Sequence, residues 1–188
     1  MPFAIGIVHT KTEHNVGTLM RSAHNFGAAM VFTIGRRYTK QSSDTENAAG
    51  KIPILHFPSW EEYRDAAPFD WTPIAVELSP GAKPLVNFAH PKRAVYLLGP
   101  EDGSLGRDIR ERCKDTIVIP SSSCLNVAVA GSIVMYDRIA KEEREAIKNR
   151  RASLAQLVEH RTENPGELVR LQREALEPIT EAVVRVWR

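Results

Sequence analysis

The stretch NVGTLMRSAHNFGA (15–28) places a guanidinium where a helix of this pattern has no need of one. At about 100° per residue, Val16, Leu19, Met20, Ala23, Phe26 and Gly27 fall in one arc, and Arg21 projects almost opposite. Such a side chain is either a solvated surface arginine or a planar fork of donors held out toward something beyond its own helix. Asn15, at the start of the stretch, is suited to cap that helix. Two further stretches carry polar groups at places where chemistry is done. In LLGPEDGSLG (97–106) an apolar run ends in a turn whose Gly99, Gly103 and Gly106 permit close backbone approach. Glu101, set among those glycines, can accept from a hydroxyl, face a cation, or be an ordinary turn residue. In IPSSSCLNVAVAGSIVMYD (119–137), Asn126 stands ahead of a helix of small residues, Ala128, Ala130, Gly131 and Ser132, which allow very close packing. The glycines do not follow GxGxxG and no P-loop lysine accompanies them, so neither a dinucleotide nor a nucleoside triphosphate is indicated.

These groups must be positioned by a scaffold, and the pattern of apolar runs supplies one. FAIGIV (3–8), MVFTI (30–34), PILHF (53–57), PIAVEL (73–78), AVYLLG (94–99) and TIVIP (116–120) read as buried strands. Helical patterns fill the gaps near 16–27, 60–66, 105–113 and 126–149, the second opened by the capping box SWEE (59–62). Alternation of this kind predicts an α/β fold, a parallel sheet with helices on both faces. In such folds ligands gather outside the carboxyl ends of the strands, and LLGPEDGSLG stands at such an end. RYTKQSSDTENAAGK (37–51) has no apolar period and reads as a surface loop. After residue 150 the pattern is wholly helical, with capping boxes SLAQ (153–156) and NPGE (164–167) and a breaker at Pro178. The expected division is therefore a main domain, 1–150, and a helical extension, 151–188.

Composition narrows the class. The 188 residues are 43% hydrophobic, carry a formal net charge of +2 and are 26% charged, which excludes a disordered acidic segment and a strongly basic nucleic-acid glue. Cys113 and Cys124 lack CxxC spacing, so neither a zinc site nor a disulfide scaffold is expected, and a reducing cytoplasm is the natural location. No apolar run approaches the roughly 18 residues of a membrane span, and no signal peptide is expected.

The three stretches, in this order and spacing, resemble the SpoU or TrmH family of the SPOUT superfamily over roughly residues 3–140. The pattern N-x-G-x-x-x-R is met by Asn15, Gly17 and Arg21; L-G-x-E-x-x-G by Leu98, Gly99, Glu101 and Gly103 or Gly106. The third pattern, I-P followed by S-L-N-V, is met by Ile119, Pro120, Cys124, Leu125, Asn126 and Val127, with Cys124 where the family usually has serine. The resemblance implies an S-adenosylmethionine-dependent RNA 2′-O-methyltransferase, homodimeric, whose carboxy-terminal half is threaded as a deep trefoil knot, an exception to the rule that chains avoid threading. It implies a methyl-donor cradle of Val76 or Glu77, Gly99, Ile119, Cys124 and Leu125, and a catalytic, RNA-facing set of Asn15, Arg21, Glu101 and Asn126. In the family the arginine of one subunit approaches the pocket of its mate, where it can bind a phosphate bidentately beside the ribose. Arg36, Arg37 and Lys40 adjoin that site and are candidate RNA phosphate contacts. The run Arg138, Lys141, Arg144, Lys148, Arg150 and Arg151, interleaved with glutamates, is either a salt-bridged solvent face or an RNA track. The small chain makes tRNA the more natural substrate than rRNA. No metal and no membrane partner are called for. A base methyltransferase of the same superfamily, or a catalytically silent RNA-binding dimer, are the alternatives.

Overall fold

Strand β1, Phe3–Val8, is buried along its whole length, and its pleat sends Phe3, Ile5 and Ile7 into one core and Ala4 and Val8 into another. A strand buried on both sides demands helices above and below, and the chain supplies them. The computed structural model describes residues 2–37, 50–100 and 102–160. The elements are β1, α1 (Glu13–Asn25), β2 (Met30–Ile34), β3 (Ile54–Phe57), α2 (Trp60–Ala66), β4 (Thr72–Val76), β5 (Lys83–Pro84), a 3-10 turn (Leu85–Asn87), β6 (Ala94–Leu98), α3 (Arg107–Arg112), β7 (Asp115–Val118) and α4 (Val127–His160). The seven strands form one sheet in the order β3-β2-β1-β6-β4-β7-β5, and every pairing is parallel. β4 and β5 follow one another in the chain, yet β7, formed later, lies between them.

One core packs α1 and the start of α4 on the sheet, through Leu19, Met20, Val134 and Met135 against Ile5, Tyr96 and Leu98. The other holds Phe32, Trp60, Tyr63, Leu105 and Ile109, with the Phe32 and Tyr63 rings stacked at 4.6 Å. Gly131 explains the small-residue run in α4: a β-carbon there would lie 2.4 Å from Leu19 Cδ1 and 3.0 Å from Leu98 Cδ1. Ser132 donates to Ser22 at 2.8 Å and so binds α4 to α1 directly. In the SWEE box, the Ser59 hydroxyl accepts from the Glu62 amide at 3.2 Å.

Four differences from the sequence reading have physical causes. Helix α1 begins at Glu13, not near residue 16, so Asn15 sits in its first turn and Thr12 takes the capping position. The last helix does not end near 149, and SLAQ lies inside it, because residues 132–160 contain neither glycine nor proline and are rich in Ala, Glu, Lys and Arg. Strand β5 and the turn after it had no apolar alternation to announce them, since β5 is a two-residue edge strand, Lys83–Pro84. Arg138 is no part of a solvent face. It is fully buried, donating to Pro91 O at 2.8 Å, Lys92 O at 2.9 Å and the Tyr96 hydroxyl at 3.1 Å, with its guanidinium 5.3 Å from the Phe3 ring centre. By its packing the chain divides into a unit ending at Ile139, which holds the whole sheet, and a second beginning at Ala140. NPGE and Pro178 lie outside the described residues, as does most of the 37–51 segment. Among the described residues no helix is long and apolar enough to cross a membrane.

Candidate active site

Parallel strands end with their last carbonyls and the following amides unclaimed by the sheet, and loops that turn there enclose space. Beyond the ends of β4, β6 and β7 the loops 77–82, 99–106 and 119–126 wall a cavity of about 690 Å³, its open mouth included. Val76, Glu77, Gly99, Ile119, Cys124 and Leu125, the six residues assigned to a donor cradle, all line it. They come from three separate segments of the chain. Leu78, Leu105, Ser121 and Ser123 line it too without having been singled out in the sequence, as does Ala130, read there only as a small packing residue. Leu78 carried a faint signal: it is an apolar residue at a strand end just before the Ser-Pro-Gly turn, and it is 62% exposed at the mouth.

The loop after β6 is drawn in tightly. A β-carbon on Gly99 would lie 3.2 Å from the Leu105 backbone nitrogen, so glycine there lets the loop fold over the strand end. The Leu105 amide donates to Glu77 Oε2 at 3.3 Å, tying that loop to the end of β4, and Arg110 Nε stands 3.8 Å from the same oxygen. Behind this wall the Cys113 thiol is pushed up to about 12 by burial and, secondarily, by the nearby Glu77 charge, and burial likewise raises the Tyr63 hydroxyl. Both stay protonated at neutral pH, which makes Cys113 a packing group and not a nucleophile.

Asn126 caps α4: its Oδ1 accepts from the amides of Ala128 at 2.9 Å and Val129 at 3.3 Å. Its Nδ2 donates to Asn15 Oδ1 at 3.0 Å, and Asn15 is only 6% exposed. The two asparagines, 111 positions apart, therefore join the starts of α1 and α4 and set the helix that carries Arg21 relative to the cavity wall. Arg21 is exposed on α1 and does not line the cavity of its own chain. Arg36 donates to Lys11 O at 2.6 Å and lies 3.7 Å from Glu13, so it is engaged at the start of α1, and Arg37 is exposed. Lys11 pairs with Asp102 at 2.5 Å, linking the β1–α1 loop to the β6–α3 loop. His9, in the first of these loops, has a left-handed backbone (φ 51°) and its ring occupies the space that a side chain on Gly35 would need. Nothing in the sequence announces that conformation at a histidine. Glu101 and Lys40 lie outside the described residues. Among the described residues no three His, Cys, Asp or Glu side chains are grouped to hold a metal ion.

Residues 2–136 match the model of the SpoU rRNA methylase family. The chain belongs to that family. Solved structures of the same fold include the A. aeolicus TrmH/SpoU tRNA modifying enzyme, at 19% identity over 94% of this chain and 89% of that one, with a TM-score of 0.66. The SpoU methyltransferase AviRb from Streptomyces viridochromogenes, in complex with AdoMet, matches at 22% identity and a TM-score of 0.63 over 74% of this chain. This SpoU-family chain spans only 57% of that AviRb chain and 60% of AviRb in a second structure. A protein described under 2-OH methylation of C/U34 on tRNA matches at 21% identity over 73% of this chain and 94% of its own, with a TM-score of 0.62. No curated protein matches the chain.

Proposed function

We propose that this chain is an S-adenosylmethionine-dependent RNA methyltransferase that acts as a homodimer and methylates a ribose 2′-hydroxyl, with tRNA as substrate before rRNA. One observation carries the reading: residues from three distant segments, 76–77, 99 and 119–125, meet in a single cavity at the carboxyl edge of a parallel sheet. The lining suits the donor. Val76, Leu98, Ile119 and Val127 offer apolar surface to a flat base, Gly99 and Gly103 admit close backbone approach, and the carboxylate of Glu77 faces a cationic ligand. When bound, the donor supplies a methyl group on a sulfonium sulfur.

The chain's own residues do the rest. Arg21 holds an RNA phosphate bidentately and orients the neighbouring 2′-oxygen for in-line attack, while its fixed positive charge stabilises the oxygen as it loses its proton. Because Arg21 lies outside its own cavity, a second copy must bring it to the site. Leu125, Val129, Ile133 and Tyr136 form a stripe of exposed apolar side chains along the start of α4, and Leu125 also walls the cavity. A partner covering this stripe meets the cavity mouth. Asn15 and Asn126 act by positioning, and Arg37 with Lys40 supplies phosphate contacts. The order β4-β7-β5, with a later strand between two consecutive earlier ones, accommodates a threaded carboxy-terminal half. The preference for tRNA is supported by the A. aeolicus tRNA modifying enzyme, whose length this chain nearly shares.

Incubation with tritiated donor and either tRNA or rRNA, followed by nuclease digestion and chromatography of the nucleosides, tests the proposal. Label in a ribose-methylated nucleoside of tRNA is expected. Label in a base, or donor binding without labelled RNA, overturns it in favour of a base methyltransferase or a silent RNA-binding dimer.

A further inference from the structure

Among the described residues, Glu77 is the only charged side chain in the cavity lining. Its described neighbours in the lining are aliphatic, glycine, proline, serine and cysteine, so none of them offsets its charge, and little of it is screened by water: the side chain is 14% exposed. One carboxylate oxygen is fixed by the Leu105 amide at 3.3 Å. Among the described residues Arg110 is the cation paired with it, at 3.8 Å; Arg110 also donates to Gly106 O, and it lines the neighbouring open groove with Lys83, Arg107 and Lys114 instead of this cavity. The cation paired with Glu77 thus belongs to the lining of the neighbouring groove, and the described lining of the cavity itself carries a single charge, a negative one.

We infer that Glu77 makes the cavity select by charge, holding the cationic sulfonium donor more tightly than the neutral thioether that remains after transfer. The inference rests on the cavity being the methyl-donor site. Donor and product differ by one methyl group and one unit of positive charge, and shape alone discriminates poorly between ligands that differ by a methyl group. A buried carboxylate reads the charge instead, which favours exchange of spent product for fresh donor.

Calorimetric titration of the full chain with S-adenosylmethionine, S-adenosylhomocysteine and sinefungin tests this, because sinefungin carries an ammonium in place of the sulfonium centre. Glu77→Gln retains the acceptor for Leu105 while removing the charge. It is expected to weaken both cationic compounds about five- to tenfold and S-adenosylhomocysteine by less than about twofold, the size of one screened charge interaction across such a site. Arg110→Gln removes the countercharge and is expected to shift the same ratio the other way, which decides the matter should Glu77→Gln fail to fold. An unchanged ratio of cationic to neutral affinity in the folded variants overturns this inference alone. Failure of the wild-type chain to bind any of the three overturns the proposed function with it.

Discussion

Replacing Asn126 by alanine removes three hydrogen bonds at one point. Two are the cap on α4, from the amides of Ala128 and Val129, and the third is the link to Asn15. Loss of a side-chain cap costs about 0.5–2 kcal/mol, and a buried neutral hydrogen bond contributes about 0.5–1.5 kcal/mol net. The expected loss is about 2–3 kcal/mol, equivalent to a fall of about 5–10 °C in the melting temperature of a chain this size. Asn126→Asp separates the two effects: it keeps an acceptor for the helix amides but loses the donor to Asn15, and should cost about half as much. Urea unfolding of Asn126→Ala, Asn15→Ala and the double variant measures the coupling, expected to be about 1 kcal/mol. Because Leu125 and Val127 flank Asn126 and both wall the cavity, donor affinity should fall alongside stability. A destabilisation below about 0.5 kcal/mol, or additive effects in the double variant, would refute the view that this pair sets α1 against α4.

Arg138→Met should cost about 3 kcal/mol or more in urea unfolding, since it strands the Pro91 and Lys92 carbonyls and the Tyr96 hydroxyl that the guanidinium serves; a loss below about 1 kcal/mol would contradict that accounting. Thiol titration of the native chain at pH 8 should find Cys124, which is exposed, and miss Cys113, and saturating methyl donor should shield Cys124. The folded state holds Cys113 protonated, its pKa raised from 9.0 to about 12, so the stability this confers is complete below pH 9 and is lost as pH rises toward 12, which alkaline unfolding curves of the wild type against Cys113→Ala will reveal as a flatter decline in the variant. Arg21→Lys should leave calorimetric donor affinity within about twofold while transfer to RNA drops by about a hundredfold, because an ammonium cannot replace a bidentate fork. Equal turnover by the two proteins would remove Arg21 from the site.

What the order of residues determined on its own is local. Runs such as FAIGIV and AVYLLG declare strands because burial on both faces leaves no room for polar residues, and six of the seven strands were legible for that reason. Positions 15, 21, 98–103 and 119–127 declared a family because their spacing in the chain is itself the signal. Tertiary structure decided what depends on partners far away in sequence. It turned Asn15 from a presumed cap into the mate of Asn126, withdrew Arg138 from solvent into a nest of carbonyls, and inserted β7 between β4 and β5. It also isolated Glu77 as the one charge in an otherwise neutral lining, among the residues described. A side chain's charge and shape are written in its own identity, whereas its dielectric surroundings and hydrogen-bond partners are set by whichever segments close around it, and those come together only when the sheet is complete.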